Sequence, residues 1–251
     1  MLCVEVFKVK RFLILVTFLA ALAGNSFGET AQEVIQKMDE LQTFDTMYSE
    51  GTMITTDRFG EKSSTFKSWS RGAKDFLIEF TNVEERGQKI LRVDDELYLF
   101  YPDAEDIIPM HGAALKQSMF GDISYEDITE GRNTLDKYDV EMTGSETIDG
   151  VDCWVIDMIA VSRDVPYPRQ VVKVGKSDYV LREAEYYARS GRILKVVDVV
   201  DVETFDDGRM MITGMVMEDQ LRRGSSTRMQ IDNVVIDPVL NNNLFSLRSL
   251  Y

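Results

Sequence analysis

The sequence predicts a mainly β protein whose 251 residues build an antiparallel sheet of about ten to twelve strands. Short β-rich runs recur along almost the whole chain. Turn pairs such as Asp149-Gly150, Ser190-Gly191 and Asp207-Gly208 separate them and tolerate the positive φ of two-residue hairpins. The alternation of strands with long helices that a parallel sheet needs is missing from the pattern. These three observations together indicate a meander of hairpins.

One amphipathic helix should precede the sheet. Thr30 is followed three residues later by Glu33, the spacing of a capping box, and apolar residues then recur at helical spacing. The predicted strands follow at residues 47–56, 65–71, 76–81, 89–93, 96–101, 138–142, 151–161, 170–174, 180–188, 193–205, 210–221 and 227–236.

Residues 102–136 interrupt this rhythm. In "HGAALKQSMF", Leu115 and Met119 share a helical face beside Phe120, and "SYEDITEG" reads as a second helical turn with Ser124 as its N-cap. The interruption is therefore predicted to hold two short helices.

Apolar residues occupy both faces of some strands. Phe76, Ile78 and Phe80 share one face of their strand, whereas the strand 96–101 is apolar on both faces. A strand with one wet face would alternate more cleanly, so something should cover the second face, and the helices are the available cover.

Methionines cluster on one side of a late strand, at Met211, Met215 and Met217. Methionine is flexible and polarizable, which suits a surface that adapts to variable apolar shapes such as acyl chains. An ordinary packed core fits the same periodicity, and the pattern alone leaves both interpretations open.

The N-terminal residues have the features of a secretory signal. A weakly basic patch precedes an apolar run at residues 12–23, and Ser26 and Gly28 fit the small-x-small cleavage pattern. We expect residues 1–28 to be a signal peptide and residues 29–251 a single exported, periplasmic domain. The apolar run is shorter than the roughly 20 residues of a transmembrane anchor.

The chain is strongly acidic, with 43 Asp and Glu against 28 Lys and Arg. Cleavage near Gly28 removes three basic residues and one acidic residue and takes the net charge from −15 to −17. This balance disfavours nucleic acid and anionic lipid surfaces as partners. Only Cys153 remains after cleavage, which excludes an internal disulfide in the exported chain.

Few residue patterns point to catalysis. His111 is the only histidine, and Cys153 lies on a strand face that suits a buried, inert thiol. The sequence has no phosphate-binding glycine loop, calcium loop or cysteine pair for zinc. We therefore expect a non-enzymatic protein without cofactor or metal.

Four stretches in order resemble a known family. They are "ERGQKILRVDDELYLFYP" (residues 85–102), "MFGDISYEDI" (119–128), "YVLREAEYYARSGRILKV" (179–196) and "LFSLRSL" (244–250). Together they resemble the outer-membrane lipoprotein-sorting family, the LolA-like periplasmic proteins. The motif G-D-x-S-Y-E-D at residues 121–127 is the part of the resemblance that is most specific for the family.

The resemblance implies a half-open, strongly curved antiparallel β-barrel, covered on its concave side by helices, with an apolar cavity that shields lipid chains in the periplasm. Residues 102–136 are then a lid, called the lid segment below, with residues 122–127 holding its turn and rim in water. The family's lid is latched by an arginine, for which Arg71, Arg86 and Arg92 are all candidates.

The predicted function is that of a carrier that binds acyl chains of lipoproteins or lipids for transfer toward the outer membrane. Inner- and outer-membrane proteins would load and unload it. The predicted cavity residues are Phe66, Phe76, Ile78, Phe80, Leu97, Leu99, Leu115, Met119, Phe120, Met211 and Met215. Two alternatives are an envelope-assembly protein with a packed core that binds a protein partner, and a lipid hydrolase that would have to use His111.

Overall fold

Fifteen strands and three α-helices make up the fold, in a computed structural model that describes residues 28–72, 74–129, 134–163 and 165–251. The helices are α1 (Ala31–Leu41), α2 (Tyr125–Thr129) and α3 (Thr134–Lys137). The strands are β1 (Thr46–Asp57), β2 (Gly60–Arg71), β3 (Asp75–Phe80), β4 (Lys89–Val93), β5 (Glu96–Tyr101), β6 (Asp106–Met110), β7 (Ser118–Phe120), β8 (Ile123–Ser124), β9 (Tyr138–Ile148), β10 (Val151–Ala160), β11 (Arg169–Gly175), β12 (Leu181–Tyr187), β13 (Ile193–Thr204), β14 (Met210–Asp219) and β15 (Ser226–Ile236). Short 3-10 helices span Gly112–Lys116, Asn242–Phe245 and Leu247–Leu250.

Thirteen of the strands form one antiparallel sheet that is not closed. Its order is β6-β5-β4-β3-β2-β1-β15-β14-β13-β12-β11-β10-β9, so every neighbour except the pair β1 and β15 follows in sequence. The sheet therefore consists of two meanders, β1–β6 and β9–β15, joined through β1 and β15. The remaining strands, β7 and β8, form a small hairpin of their own.

The topology explains the interruption in the sequence. The chain leaves the main sheet at β6, one edge strand, and returns at β9, the opposite edge strand. Between them lie the first 3-10 helix, the β7–β8 hairpin and the helices α2 and α3. The segment that interrupts the strand pattern is thus the connection between the two edges of the open sheet.

A glycine allows close packing where the two meanders meet. The β1–β15 register shifts between Glu50 and Gly51, the mark of a β-bulge. A Cβ atom at Gly51 would lie 2.5 Å from the Gln230 carbonyl oxygen and 2.8 Å from the Phe66 ring. The absence of a side chain at this position therefore lets Phe66 lie directly over the β1 backbone.

Helix α1 packs on the face of the second meander. Its Ala31, Val34 and Ile35 are buried in a cluster, called the helix cluster, that continues through strands β9–β14. The strand members include Val140, Ile156, Met158, Val172, Val174, Ala184, Val197 and Met217. On its flank, the Gln32 amide donates a hydrogen bond to the Val140 carbonyl at 3.3 Å.

The second face of β3–β5 has a different cover from the one predicted. Leu77, Leu91 and Phe100 pack with Leu250 of the last 3-10 helix to form a further cluster, called the tail cluster. Lys89 Nζ donates to the Ser249 carbonyl at 2.7 Å, and the Phe100 and Tyr251 rings meet edge to face. The predicted helices are not the ones found on this face, which the C-terminal 3-10 helix covers instead.

The strand predictions are confirmed in type and order, with differences in number. The main sheet has thirteen strands instead of ten to twelve, because β6 lies within residues 102–136, where the sequence predicts no strand. The first of the two expected helices is only the 3-10 helix Gly112–Lys116, followed by β7, whereas α2 begins directly after Ser124 as expected. The expected signal peptide lies outside the described residues, apart from Gly28.

Candidate functional site

The predicted cavity residues gather in one apolar cluster. Ten of the eleven belong to it, namely Phe66, Phe76, Ile78, Phe80, Leu97, Leu99, Leu115, Met119, Phe120 and Met211. Buried Met53, Ile90, Met110, Tyr125 and Ile231 complete this set, called the lid cluster. Met215, the eleventh, packs against the helix cluster instead.

The alternation of side chains along β3 and β5 decides which of them face the lid cluster. Phe76, Ile78 and Phe80 of β3 point to the lid cluster, while the intervening Leu77 points to the tail cluster. In β5, Leu97 and Leu99 likewise face the lid cluster, and Phe100 faces the opposite side. The two apolar faces read from the sequence are therefore real and have separate covers.

The lid segment supplies the other side of the cluster. Ala114 and Leu115 come from the 3-10 helix, Met119 and Phe120 from β7, and Tyr125 from α2. Together they bury the sheet side, so that Leu97 is only 2% exposed. The pKa of Tyr125 rises to about 12, chiefly because of burial and then because of Tyr101. In this geometry the side chains of the lid segment fill the apolar space over the sheet.

The acidic part of the lid segment lies inside the protein. The prediction that residues 122–127 hold a rim in water is wrong, since Asp122, Ile123, Ser124 and Tyr125 are buried and the Asp127 carboxylate is only 7% exposed. Two buried carboxylates bond the lid segment to the second meander.

Asp122 attaches the β7–β8 turn to the region between β14 and β15. Its backbone N–H donates to Thr227 Oγ1 at 2.8 Å, and Ser225 Oγ donates to its carboxylate at 2.6 Å. The second carboxylate oxygen is buried and has no partner in the described part of the chain. Burial raises the pKa of Asp122, while the Ser225 hydrogen bond and the charge of Arg222 oppose the rise.

Gly121 makes this attachment possible. Its φ of +56° is in the left-handed region, and an added Cβ would lie 2.2 Å from the hydroxyl oxygens of Thr55 and Thr227. Only glycine satisfies both conditions without strain. The glycine of the family-like motif therefore has a packing role against β1 and β15.

Asp127 attaches the start of α2 to strand β13 and to the loop before β11. Its carboxylate accepts the backbone N–H of Ser124 at 2.7 Å, which is one half of a capping box. The Ser124 hydroxyl, the Tyr167 hydroxyl and the Lys195 ammonium also donate to it. Burial, followed by the Asp127 charge, raises the pKa of the Tyr167 phenol. The Tyr167 ring stacks on Tyr186 at 4.5 Å.

A cavity of about 430 Å³ adjoins the lid cluster where the β7–β8 turn meets the β1–β2 turn. We call it the rim cavity. Its walls include Met119 and Phe120, which also belong to the lid cluster. The other lining residues are Thr55, Asp57, Phe59, Gly60, Glu61, Lys62, Glu85, Ser118, Gly121 and Arg222.

Arg222, which was not among the candidate latch residues, contacts the lid segment. Arg222 Nη1 donates to the Gly121 carbonyl at 3.0 Å and lies 3.4 Å from Asp122. Arg71 pairs with Asp75, and Arg92 lies near Asp95 at the β4–β5 turn. Sequence spacing could not identify Arg222, which lies about a hundred residues from Gly121.

Neither candidate catalytic residue, His111 or Cys153, belongs to the lid cluster. His111 is exposed immediately before the first 3-10 helix and makes no side-chain cap bond there. Cys153 is fully buried, and burial raises the pKa of its thiol, which disfavours the thiolate. The described residues include no group of three His, Cys, Asp or Glu that would hold a metal ion.

Among the described residues, no helix has the length and apolar character needed to cross a bilayer.

Known proteins share this fold over nearly the whole chain. A DUF1329 family protein from Desulfovibrio piger matches with a TM-score of 0.82 and 26% identity, covering 88% of this chain and 98% of its own. A LolA superfamily protein from Nitrosomonas europaea matches with a TM-score of 0.74 and 25% identity, covering 88% and 100%. A domain from Vibrio parahaemolyticus named for outer membrane lipoprotein sorting has a TM-score of 0.77 at 20% identity, covering 88% and 97%.

The comparisons of the sequence with known proteins find less than the comparisons of the structure. No curated protein matches the chain. A family model with the description "Uncharacterized protein" matches residues 72–251, which include most of the sheet and the whole lid segment. The matched residues contain the G-D-x-S-Y-E-D motif, in which Asp122 and Asp127 bond the lid segment to the second meander. The chain belongs to the family that this model describes, and it has the fold of the LolA superfamily protein and of the lipoprotein-sorting domain.

Proposed function

We propose that the protein is a periplasmic, non-enzymatic carrier that binds acyl chains of lipoproteins or lipids in the space now filled by the lid cluster. The observation that carries the proposal is the lid cluster itself. It is a large apolar surface on one face of an open sheet, covered by a segment with little regular structure.

The composition of the lid cluster suits an exchangeable cover. Leu115 and Met119 are only partly buried, and they sit on a 3-10 helix and a three-residue strand instead of a long helix. Moving them aside would expose the phenylalanines and leucines of β2, β3 and β5 to a ligand. Transfer of acyl surface from water would supply roughly 25 cal/mol per Å². We propose that this face is the concave side of the sheet.

The two ends of the lid segment differ in how strongly they are bonded to the rest of the protein. Asp122, Ser124 and Asp127 bond its later part to the second meander. The preceding 3-10 helix, Gly112–Lys116, contains no fully buried residue. We infer that opening displaces the part from Gly112 to Met119, while the part from Asp122 to Asp127 stays in place.

The related proteins support the same role. One is named for outer membrane lipoprotein sorting and another is a member of the LolA superfamily. Loading and receiving proteins in the inner and outer membranes would complete the transfer, and cleavage of the signal peptide near Gly28 would place the carrier between them. The acidic net charge of the chain fits brief contact with anionic membranes and no nucleic-acid partner.

The test is ligand binding by mature protein purified without detergent. Organic extraction followed by mass spectrometry should find co-purified lipid, and an environment-sensitive fatty-acid probe should bind saturably at about one equivalent, as expected for one apolar pocket. A clean extract and no saturable probe binding would exclude the carrier and favour the packed assembly protein.

A matched pair of variants locates the binding. Ala114 lies in the 3-10 helix and packs against the lid cluster, whereas Ala104 is exposed in the β5–β6 turn. Ala114→Trp should weaken probe binding at least about tenfold because the indole occupies ligand space. Ala104→Trp should leave it unchanged. Equal effects of the two substitutions would place the probe elsewhere.

A further inference from the structure

The rim cavity opens beside the proposed acyl site. Met119 and Phe120 belong both to its wall and to the lid cluster, so the two spaces share a boundary. A volume of about 430 Å³ is small for two acyl chains but ample for a polar group attached to them. A ligand whose chains enter under Met119 would leave its head in this cavity.

The charges of the rim cavity are unbalanced. Its lining contains three carboxylates, Asp57, Glu61 and Glu85, and two cations, Lys62 and Arg222. Lys62 is bound to Glu85 at 2.6 Å, and Arg222 is directed to the Gly121 carbonyl and Asp122. Both cations are therefore compensated, while Asp57 and Glu61 add negative charge on the wall formed by the β1–β2 turn.

One of the lining side chains, that of Lys62, itself carries a primary ammonium. Lys62 Nζ lies between the Glu85 carboxylate and the Phe120 ring, 5.7 Å from the ring centroid. A second ring, that of Phe59, is 82% exposed in the lining and carries the Arg58 guanidinium over its face at 4.5 Å. Aromatic faces with nearby carboxylates are favourable surroundings for cations.

From this arrangement we propose that the rim cavity is a head-group subsite that favours acyl ligands bearing a primary ammonium near the chains over ligands with purely anionic heads. The inference rests on the proposed acyl-binding function and narrows its ligand class. The ammonium would lie against Asp57 and Glu61, and the net charge of −15 on the whole chain would add a longer-range preference of the same sign.

Two ligands that differ only in their heads test the proposal. Lysophosphatidylethanolamine carries an ammonium and a phosphate, and lysophosphatidylglycerol of the same chain length carries the phosphate alone. Each competes with the bound fatty-acid probe at low ionic strength. The ethanolamine lipid should displace the probe at about fivefold lower concentration, and the difference should shrink as salt is added.

Charge-neutral variants assign the preference to the cavity. Asp57→Asn with Glu61→Gln should remove the difference, and the asparagine oxygen can still accept the Phe59 backbone N–H that Asp57 accepts at 2.7 Å. Glu203→Gln with Asp206→Asn changes the net charge equally on an exposed part of the chain outside the cavity. This control should keep the difference.

A second ligand pair identifies the source of the ammonium. A diacylated lipopeptide with a free terminal amine is compared with its acetylated form. A preference only for the free amine in this pair points to lipoprotein cargo, and a preference only in the lysolipid pair points to phospholipid. Equal binding within both pairs, or loss of the difference in the control variant, would overturn the head-group subsite while leaving the carrier intact. Failure of the fatty-acid probe to bind would remove both proposals.

Discussion

At the scale of single residues, Asp127 is the group on which the lid attachment depends most. Its side chain is 7% exposed and that of its partner Lys195 is 12% exposed, so either charge would be poorly hydrated if the other were removed. Buried ion pairs contribute little compared with apolar replacements, but breaking one leaves a buried charge without a partner. Asp127 also bonds Ser124 and Tyr167, which lie on separate elements.

Asp127→Ala should therefore lower the free energy of unfolding by about 3–5 kcal/mol. Urea denaturation measures this loss. Adding Lys195→Met should recover part of it, because the unpaired ammonium is removed as well.

The Lys74–Asp95 pair provides the control, since both side chains are more than half exposed. Lys74→Ala should cost less than about 1 kcal/mol. If Asp127→Ala costs no more than this exposed pair, the buried attachment described for the lid segment is wrong.

Asp122 should make stability depend on pH with a definite sign. Burial raises its pKa above the ordinary value of 3.8, so the unfolded chain loses this proton first as pH increases. Stability from the protonated carboxyl is fully present below 3.8 and is lost as pH rises through the folded-state pKa.

Asp122→Asn should consequently be more stable than the wild type at pH 7, because the amide keeps an oxygen for Ser225 and carries no charge. Melting temperatures measured from pH 3 to pH 7 should converge at the acid end. A difference that stays constant over this range would show that ionisation of Asp122 does not contribute.

At the scale of elements, the C-terminal 3-10 helices act as the cover of the outer face of β3–β5. Leu250 is fully buried there, while Leu247 of the same helix is 44% exposed. Leu250→Ala should cost about 2–5 kcal/mol, from the lost transfer energy and the cavity left behind. Leu247→Ala should cost less than about 1 kcal/mol, as expected for a partly exposed side chain. Both values come from urea denaturation.

The same variants separate stability from binding. Leu250→Ala should leave the affinity for the fatty-acid probe unchanged at temperatures where the protein stays folded, because the tail cluster faces away from the lid cluster. A loss of affinity comparable to that of Ala114→Trp would mean that the two faces are coupled.

The sequence predicts the elements unevenly, for identifiable reasons. Strands with apolar alternation, such as β3, β5 and β10, were located almost to the residue, because period-two burial is strong in them. The later half of β9 is polar and exposed, so the predicted strand stopped at residue 142. Strand β6 is short and contains Pro109, which is tolerated at a sheet edge but argues against a strand in sequence.

In the candidate site, too, the sequence located some residues and missed others. Period and residue type were enough to predict an apolar cluster, since ten of the eleven residues meet in one, while its role as a ligand site stays a prediction. The polar partners Lys195, Tyr167 and Arg222 carry no local signal, and they reach the lid segment from 40 to about a hundred residues away. Only the topology brings them to it.

At the scale of the whole molecule, the connection between β6 and β9 links the proposed function to the architecture. An open sheet has two edge strands, and here a single segment joins one edge to the other while covering the apolar face between them. The motif "MFGDISYEDI" holds the centre of that segment, with its apolar pair on the lid cluster and the carboxylates of Asp122 and Asp127 bonded to the second meander.

The pairing of β1 with β15 has a consequence for how the chain folds. Each meander contains mostly local hairpin contacts, but the bonds from Met47–Ile236 to Thr56–Ser226 join strands from opposite ends of the described chain. Such distant contacts slow folding because a very large loop must close before they form. Until nearly the entire polypeptide has been synthesised, β1 therefore lacks its second partner strand, and the seam between the halves should be the last part of the sheet to form.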